Sequence, residues 1–168
     1  MNRKILLLLL FISSLIVGQE FKKNATAGFV FLELPITARS AGMGESSIAL
    51  TDMEASGQFV NPAVLGFAKS NHSFSVSYSS WIADIKHYVT NYSINTDYGT
   101  FGIGAIIMDY GDMPRTKKIA GQRLYEVLGN FQANSIALGI SYSKQLTDKF
   151  SFGITGKYVR EKIDIYSA

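Results

Sequence analysis

From Ser73 onward the chain alternates apolar and polar residues with a period of two, the pattern of strands that carry one face of each kind. In "SFSVSYSSW", Phe74, Val76 and Tyr78 share a face opposite Ser73, Ser75, Ser77 and Ser79. "YVTNYSIN" sets Tyr88, Tyr92 and Ile94, with Thr90 as a lapse, against Asn91, Ser93 and Asn95. "TFGIGAII" sets Phe101, Ile103, Ala105 and Ile107 against Thr100, Gly102 and Gly104. "NSIALGISYSK" sets Ile136, Leu138, Ile140 and Tyr142 against Ser135, Ala137, Gly139, Ser141 and Ser143. "FSFGITGKYVR" sets Phe150, Phe152, Ile154 and Tyr158 against Ser151, Gly153, Thr155 and Lys157. The pattern predicts five strands of about nine to twelve residues.

The composition of the two faces decides what kind of sheet this is. The polar face is Ser, Gly, Asn and Thr with few charges, and the apolar face is rich in aromatics, often near strand ends. A membrane barrel wants this arrangement, with the apolar side to lipid and small polar residues to the lumen, whereas the alternative, a soluble β-sandwich or lipocalin-like barrel, usually carries many Lys and Glu on its solvent face. Glycines in mid-strand leave room for a second backbone to approach, as a plug inside a barrel does. The connections alternate in length. "TDY" after Asn95 and "QLTD" after Lys144 are short, Trp81 to Lys86 is longer, and Tyr110 to Ala133 reads as a long charged loop. Tight periplasmic turns and extended outer loops alternate in the same way, so the loops after Trp81 and Asp109 are expected outside. Five strands do not close a barrel, which needs about eight or more, so the sequence reads as the N-terminal part of one.

Two segments precede the strands. Asn2-Arg3-Lys4, the apolar run Ile5 to Ile12 and the small residues Ser13 to Gly18 have the layout of a secretory signal peptide. Ile5 to Val17 is too short for a spanning helix, which needs about 20 residues. Residues 1–18 are therefore read as a signal peptide, 19–70 as a separate N-terminal segment, and 71–168 as barrel strands. Within 19–70, Ala41 to Phe67 is rich in small residues and suits neither a strand nor an amphipathic helix. Removing residues 1–18 takes Arg3 and Lys4 from the 16 basic residues and leaves 14 against 13 acidic, a net charge of +1. Nucleic acid thus loses its compositional support as a partner. With no cysteine, the chain has neither a disulfide scaffold nor a thiol metal site.

Several stretches carry a resemblance: Ala38-Arg39-Ser40-Ala41-Gly42-Met43-Gly44, then Asn61-Pro62-Ala63, Trp81-Ile82-Ala83-Asp84-Ile85, and Asp109-Tyr110-Gly111-Asp112. As an ordered set they resemble the PorV/PorQ family of outer-membrane proteins, itself related to FadL-type barrels, across nearly the whole mature chain. The resemblance implies an all-β fold: a transmembrane antiparallel β-barrel, FadL-like and of roughly fourteen strands, with an N-terminal hatch. The hatch motif would comprise Arg39, Gly42, Met43, Gly44, Asp52, Asn61, Pro62 and Ala63. Trp81, Asp84, Asp109, Tyr110 and Asp112 would be outer-loop contacts. Asn61-Pro62 is expected to turn the chain from hatch into the first strand, because the residue before proline is driven extended. One departure is Met53-Glu54, where relatives carry paired acidic residues; Asp52 and Glu54 remain.

Catalytic and metal chemistry finds no support. His72 and His87 flank strand one and its outer loop, too far apart in the pattern to share a metal. Asp109 and Asp112 fall short of the six to eight oxygens that calcium takes. Gly42-Met43-Gly44-Glu45-Ser46 lacks the Lys-Ser/Thr end of a phosphate loop, and no nucleophile elbow appears. No enzyme and no cofactor are expected. The family resemblance implies a place in the outer membrane of a Gram-negative-type bacterium, in contact with outer-membrane lipid. It implies type IX secretion, by binding the C-terminal signal domains of exported cargo beside other secretion-system components. FadL-like transport of a hydrophobic small molecule and a purely structural role are the alternatives.

Overall fold

A computed structural model of the chain describes residues 28–119, 125–164 and the backbone of 166–167. The signal peptide and the first part of the N-terminal segment lie outside these residues. Six strands form one antiparallel sheet in sequence order: β1 (His72–Ser80), β2 (Lys86–Thr96), β3 (Gly99–Lys118), β4 (Tyr125–Thr147), β5 (Phe150–Ile163) and the short β6 (Tyr166–Ser167). The fold is all-β, as the alternation predicts. No helix among the described residues is long and apolar enough to cross a membrane, which leaves strand crossing untouched.

Register places every predicted face correctly. Tyr78 lies opposite Tyr88, Tyr88 opposite Ile107, and Ile107 opposite Ile136, so the apolar residues form continuous rows across β1 to β4. On the other face Ser93 meets Gly102, Gly102 meets Ser141, and Ser141 meets Thr155. A period of two makes this all-or-none, because a slip by one residue would invert the faces.

The long strands correct one expectation. Tyr110 to Ala133 is not a loop through its described length. β3 and β4 pair for seven further residue pairs past Asp109, from Asp112–Gln132 to Lys118–Tyr125, a two-stranded arm of roughly 20 Å. Gly111 takes φ +68, and its N–H donates to the Asp109 carboxylate at 2.9 Å. Tyr110 and Gly111 are set against the single residue Ala133, a β-bulge that adds twist and lets pairing continue into the arm.

Residues 28–71 cross one face of the sheet. They hold a 3-10 turn at Val30–Glu33, a five-residue helix α1 (Ala38–Gly42), and 3-10 turns at Glu54–Gly57 and Pro62–Phe67. Thr37 caps α1 by accepting from the Ser40 N–H at 3.1 Å. Asn61 is extended, as a residue before proline must be, but it opens the Pro62–Phe67 turn by accepting from the Ala63 N–H at 3.1 Å. The expected exit into the first strand at Asn61-Pro62 is therefore displaced: β1 begins at His72, after a further turn.

Candidate functional site

The face that carries Ser73, Asn91, Gly102 and Ser141 is the covered one, and residues 28–71 are what covers it. Close to the β1–β2 connection, Val89, Ile106, Met108 and Ala137 interrupt the polar pattern and bury against Phe31, Ile36 and Phe59. These apolar residues at polar-face positions were missed in the sequence, although each breaks the alternation at a visible place. At mid-strand Phe59 lies against bare backbone. A Cβ built on Gly139 would stand 2.5 Å from its ring, and one on Gly104 would stand 2.8 Å away. Gln58 donates from Nε2 to the Gly139 carbonyl at 3.1 Å, and Lys157 stands 5.5 Å over the Phe59 ring.

Toward the β2–β3 and β4–β5 turns the contact becomes backbone against backbone. The Pro62–Phe67 turn packs on β4 and β5, and any Cβ at Gly153 would collide with Pro62 and Ala63 main-chain atoms. Ser143 Oγ donates to the Ala63 carbonyl at 3.3 Å, and Asn95 Nδ2 to the Ala68 carbonyl at 3.3 Å. Small residues on both partners are the condition for this approach. The small residues of Ala41 to Phe67 bring the backbone near enough for Gln58, Phe59 and Leu65 to meet the sheet at its glycines.

The predicted hatch-motif residues fall into two clusters on this segment. Arg39, on α1, pairs with Asp52 at 3.1 Å, both half exposed. Gly42 ends α1, Met43 follows it, and Gly44 takes φ +59. Asn61 reaches back to the Ile48 carbonyl at 2.8 Å, while Pro62 and Ala63 make the close contact with Gly153. Met53, the departure noted in the sequence, is buried at 7% exposure and serves the core. Glu54 accepts from Ser70 Oγ at 3.0 Å. His87 is buried beneath the segment and His72 is exposed, bonded through Nδ1 to the Tyr92 hydroxyl at 2.7 Å. The two histidines share no site.

The outer-loop candidates gather at the opposite end from the tight turns. Trp81 is 39% exposed and precedes a turn, Ile82–Asp84, in which Ala83 and Asp84 take positive φ. Asp109, Tyr110 and Asp112 are strand residues at the bulge rather than loop residues. Asp112 accepts from Gln132 Nε2 at 2.8 Å, and Ser135 donates to the Tyr110 hydroxyl at 3.4 Å. Among the described residues no hydrogen bond or ion pair joins Trp81 or Asp84 to this group. No cluster of three metal-ligating side chains occurs among the described residues either.

The other face of the sheet is bare. Phe74, Val76, Tyr78, Ile103, Ile140, Phe152, Ile154 and Tyr158 are all more than 45% exposed on it. Aromatic contacts mark both ends, Tyr78 and Tyr88 at 5.2 Å near the β1–β2 connection, and Phe101, Tyr142 and Phe152 near the tight turns with centroid separations of 5.2 and 6.2 Å, while Phe74, Tyr92 and Tyr158 lie in the rows between. Polar residues resume past Tyr88 with Lys86, Asp109, Asn134 and Lys162. Between the Tyr88 and Phe101 rows the apolar stretch is about 20 Å along the strands.

A scan against protein-family models matches residues 18–168 to "Type IX secretion system protein PorV". No curated protein and no solved structure matches the chain. The match takes in the covering segment, the two-faced strands and the extended arm together, and on it this chain belongs to the PorV family of type IX secretion system proteins.

Proposed function

We propose that the sheet is a section of an outer-membrane β-barrel, with residues 1–18 as its signal peptide and the segment up to Ser70 as a hatch in the lumen. In this reading the barrel binds exported cargo at the outer membrane during type IX secretion. The observation that carries it is the bare apolar face bounded by aromatics at both ends, on a chain whose family belongs to that secretion system. Lipid satisfies such a face and water does not. The end bearing Trp81, Asp84, the bulge and the β3–β4 arm is the cargo-facing end. It stands beyond the row of Lys86, Asp109 and Lys162, outside the hydrocarbon, and offers exposed Tyr125, Val127 and Leu128 beside Lys117 and Lys118. Signal domains of cargo meet the protein there.

Deleting the gene tests this. Proteins with C-terminal signal domains are expected to accumulate in the periplasm, and the wild-type gene is expected to restore their export. Normal export with a growth defect on one hydrophobic substrate would select FadL-like transport instead. Envelope fragility alone would select a structural role.

A further inference from the structure

The bare face carries two basic residues that the secretion reading does not use. Arg160 projects from it beside Ile136, in the row that continues through Ile107 to the Tyr88 girdle. Lys162 follows on the same face, beside Asn134 and one row farther from the apolar band. Both are exposed, and among the described residues neither forms an ion pair. An arginine facing lipid is costly unless its guanidinium reaches the interface and finds an anion there.

Directly beyond the pair lies a recess of about 360 Å³, walled by Asp112, Asn130, Gln132, Asn134, Lys162 and Asp164. Three amides and two carboxylates in one wall donate to and accept from hydroxyl groups. The carboxylates are held in place, Asp112 by Gln132 and Asp164 by Arg115. On the apolar side, a groove of about 460 Å³ runs over Thr90 and Ala105, rimmed by Phe74, Tyr92, Ile103 and Ile140. It begins at Leu138, one strand over from Arg160 and one row down, about 8 Å away. The Thr90 lapse in the alternation forms part of its floor.

In order from mid-strand to the arm, the surface is therefore an apolar groove, a cationic pair and a hydroxyl-binding recess. We propose that the outer face of β1 to β5 binds a phosphorylated glycolipid of the membrane's outer leaflet. An acyl chain lies in the groove, the phosphate is held by Arg160 and Lys162, and the sugar hydroxyls enter the recess. Arginine suits the phosphate through its paired N–H donors. The two carboxylates in the recess favour a sugar over a second phosphate. The assignment rests on the membrane-barrel reading above.

The test uses full-length protein in detergent and native mass spectrometry. The probes are an acylated, phosphorylated glucosamine disaccharide, the same lipid without phosphate, and phosphatidylglycerol. Wild type is expected to retain the phosphorylated glycolipid through gentle activation, with retention at least tenfold lower for R160A/K162A and unchanged for K144A/K149A at the β4–β5 turn. Excess inorganic phosphate is expected not to displace the lipid. Equal retention by R160A/K162A, phosphatidylglycerol bound as tightly as the glycolipid, or displacement by inorganic phosphate each overturns the site. Heat-modifiable gel mobility and membrane flotation separate the two levels of inference. A folded, membrane-embedded protein without lipid selectivity removes the glycolipid site alone, whereas a protein that neither embeds nor shifts removes the barrel reading.

Discussion

Gly139→Val tests whether residues 28–71 are seated on the sheet by close approach at glycine. The backbone of Gly139 is extended and accepts a β-branched residue without strain. Its Cβ, however, would stand 2.5 Å from Phe59 Cε1 and 3.0 Å from Cζ. Carbon pairs settle at about 3.5–4.0 Å, so ring and strand must part by roughly 1 Å before the γ-methyls are counted. Overpacking of this kind costs about 1–3 kcal/mol. The shift also strains the buried Gln58–Gly139 hydrogen bond, whose loss costs about 1–3 kcal/mol. Both act through one displacement and do not add in full, which leaves an expected loss of about 2–4 kcal/mol. The measurement is urea unfolding in detergent, followed by the heat-modifiable gel shift, with limited proteolysis to report release of the segment. Gly156→Val is the control, since Gly156 lies on the bare face with nothing within 4 Å of a built Cβ. Phe59→Ala is destabilising by itself, by about 3–5 kcal/mol, but it removes the clash. In its background Gly139→Val is expected to cost under about 1 kcal/mol. If Gly139→Val costs no more than Gly156→Val, or if Phe59→Ala leaves the cost unchanged, the seat is not formed by this contact and the reasoning is refuted.

Three further outcomes follow from named contacts. Asn61→Ala removes both the acceptance from the Ala63 N–H and the donation to the Ile48 carbonyl. It should cost about 1–2 kcal/mol, seen as faster proteolysis within the segment and a lower urea midpoint. Arg39→Ala breaks a half-exposed ion pair with Asp52 and is expected to change stability by about 0.5 kcal/mol or less. A large export defect from that variant, with stability intact, would show that Arg39 acts on a partner. Gly111→Ala places a side chain at φ +68 and should cost about 1 kcal/mol. It is expected to loosen the β3–β4 arm while leaving the sheet below it protected, which hydrogen exchange resolved along β3 will read.

The strand faces were legible because alternation is a local signal and register multiplies it. Once Tyr88 faces one way, so must Ile107 and Ile136. That something packs closely on the glycine-bearing face was also legible in outline, since Gly102, Gly104, Gly139 and Gly153 repeat on one face where a sheet has no local use for them. The arm was not. Charge and a Tyr-Gly step normally mark a loop, and a proline normally argues against a strand, yet among the described residues Pro114 lies on an edge with no neighbour past the end of β2. The bulge at Tyr110–Gly111 shifts the pairing register, so the period of two breaks there and resumes beyond it. Periodicity read across a bulge looks like its absence.

The positions of Phe31, Ile36 and Phe59 were illegible for a different reason. Their partners Val89, Ile106, Met108 and Ala137 come from three strands, and only tertiary pairing brings these into one patch. The same patch constrains how the protein works. Near the β1–β2 connection the segment is held by apolar burial, and near the tight turns by serine and glycine at backbone distance. Apolar contact of the first kind tolerates small rearrangements in steps of side-chain packing, whereas backbone contact at Gly153 tolerates none. On the proposed function, any response of residues 28–71 to a partner bound at the arm begins at Phe31 and Ile36, with Pro62–Phe67 as its fixed point. A disulfide tying the Pro62–Phe67 turn to β5 should leave export unchanged, while one tying residues 31–36 to β2 or β3 should reduce it if the segment moves. Equal export from both locked proteins would show that the segment stays still throughout.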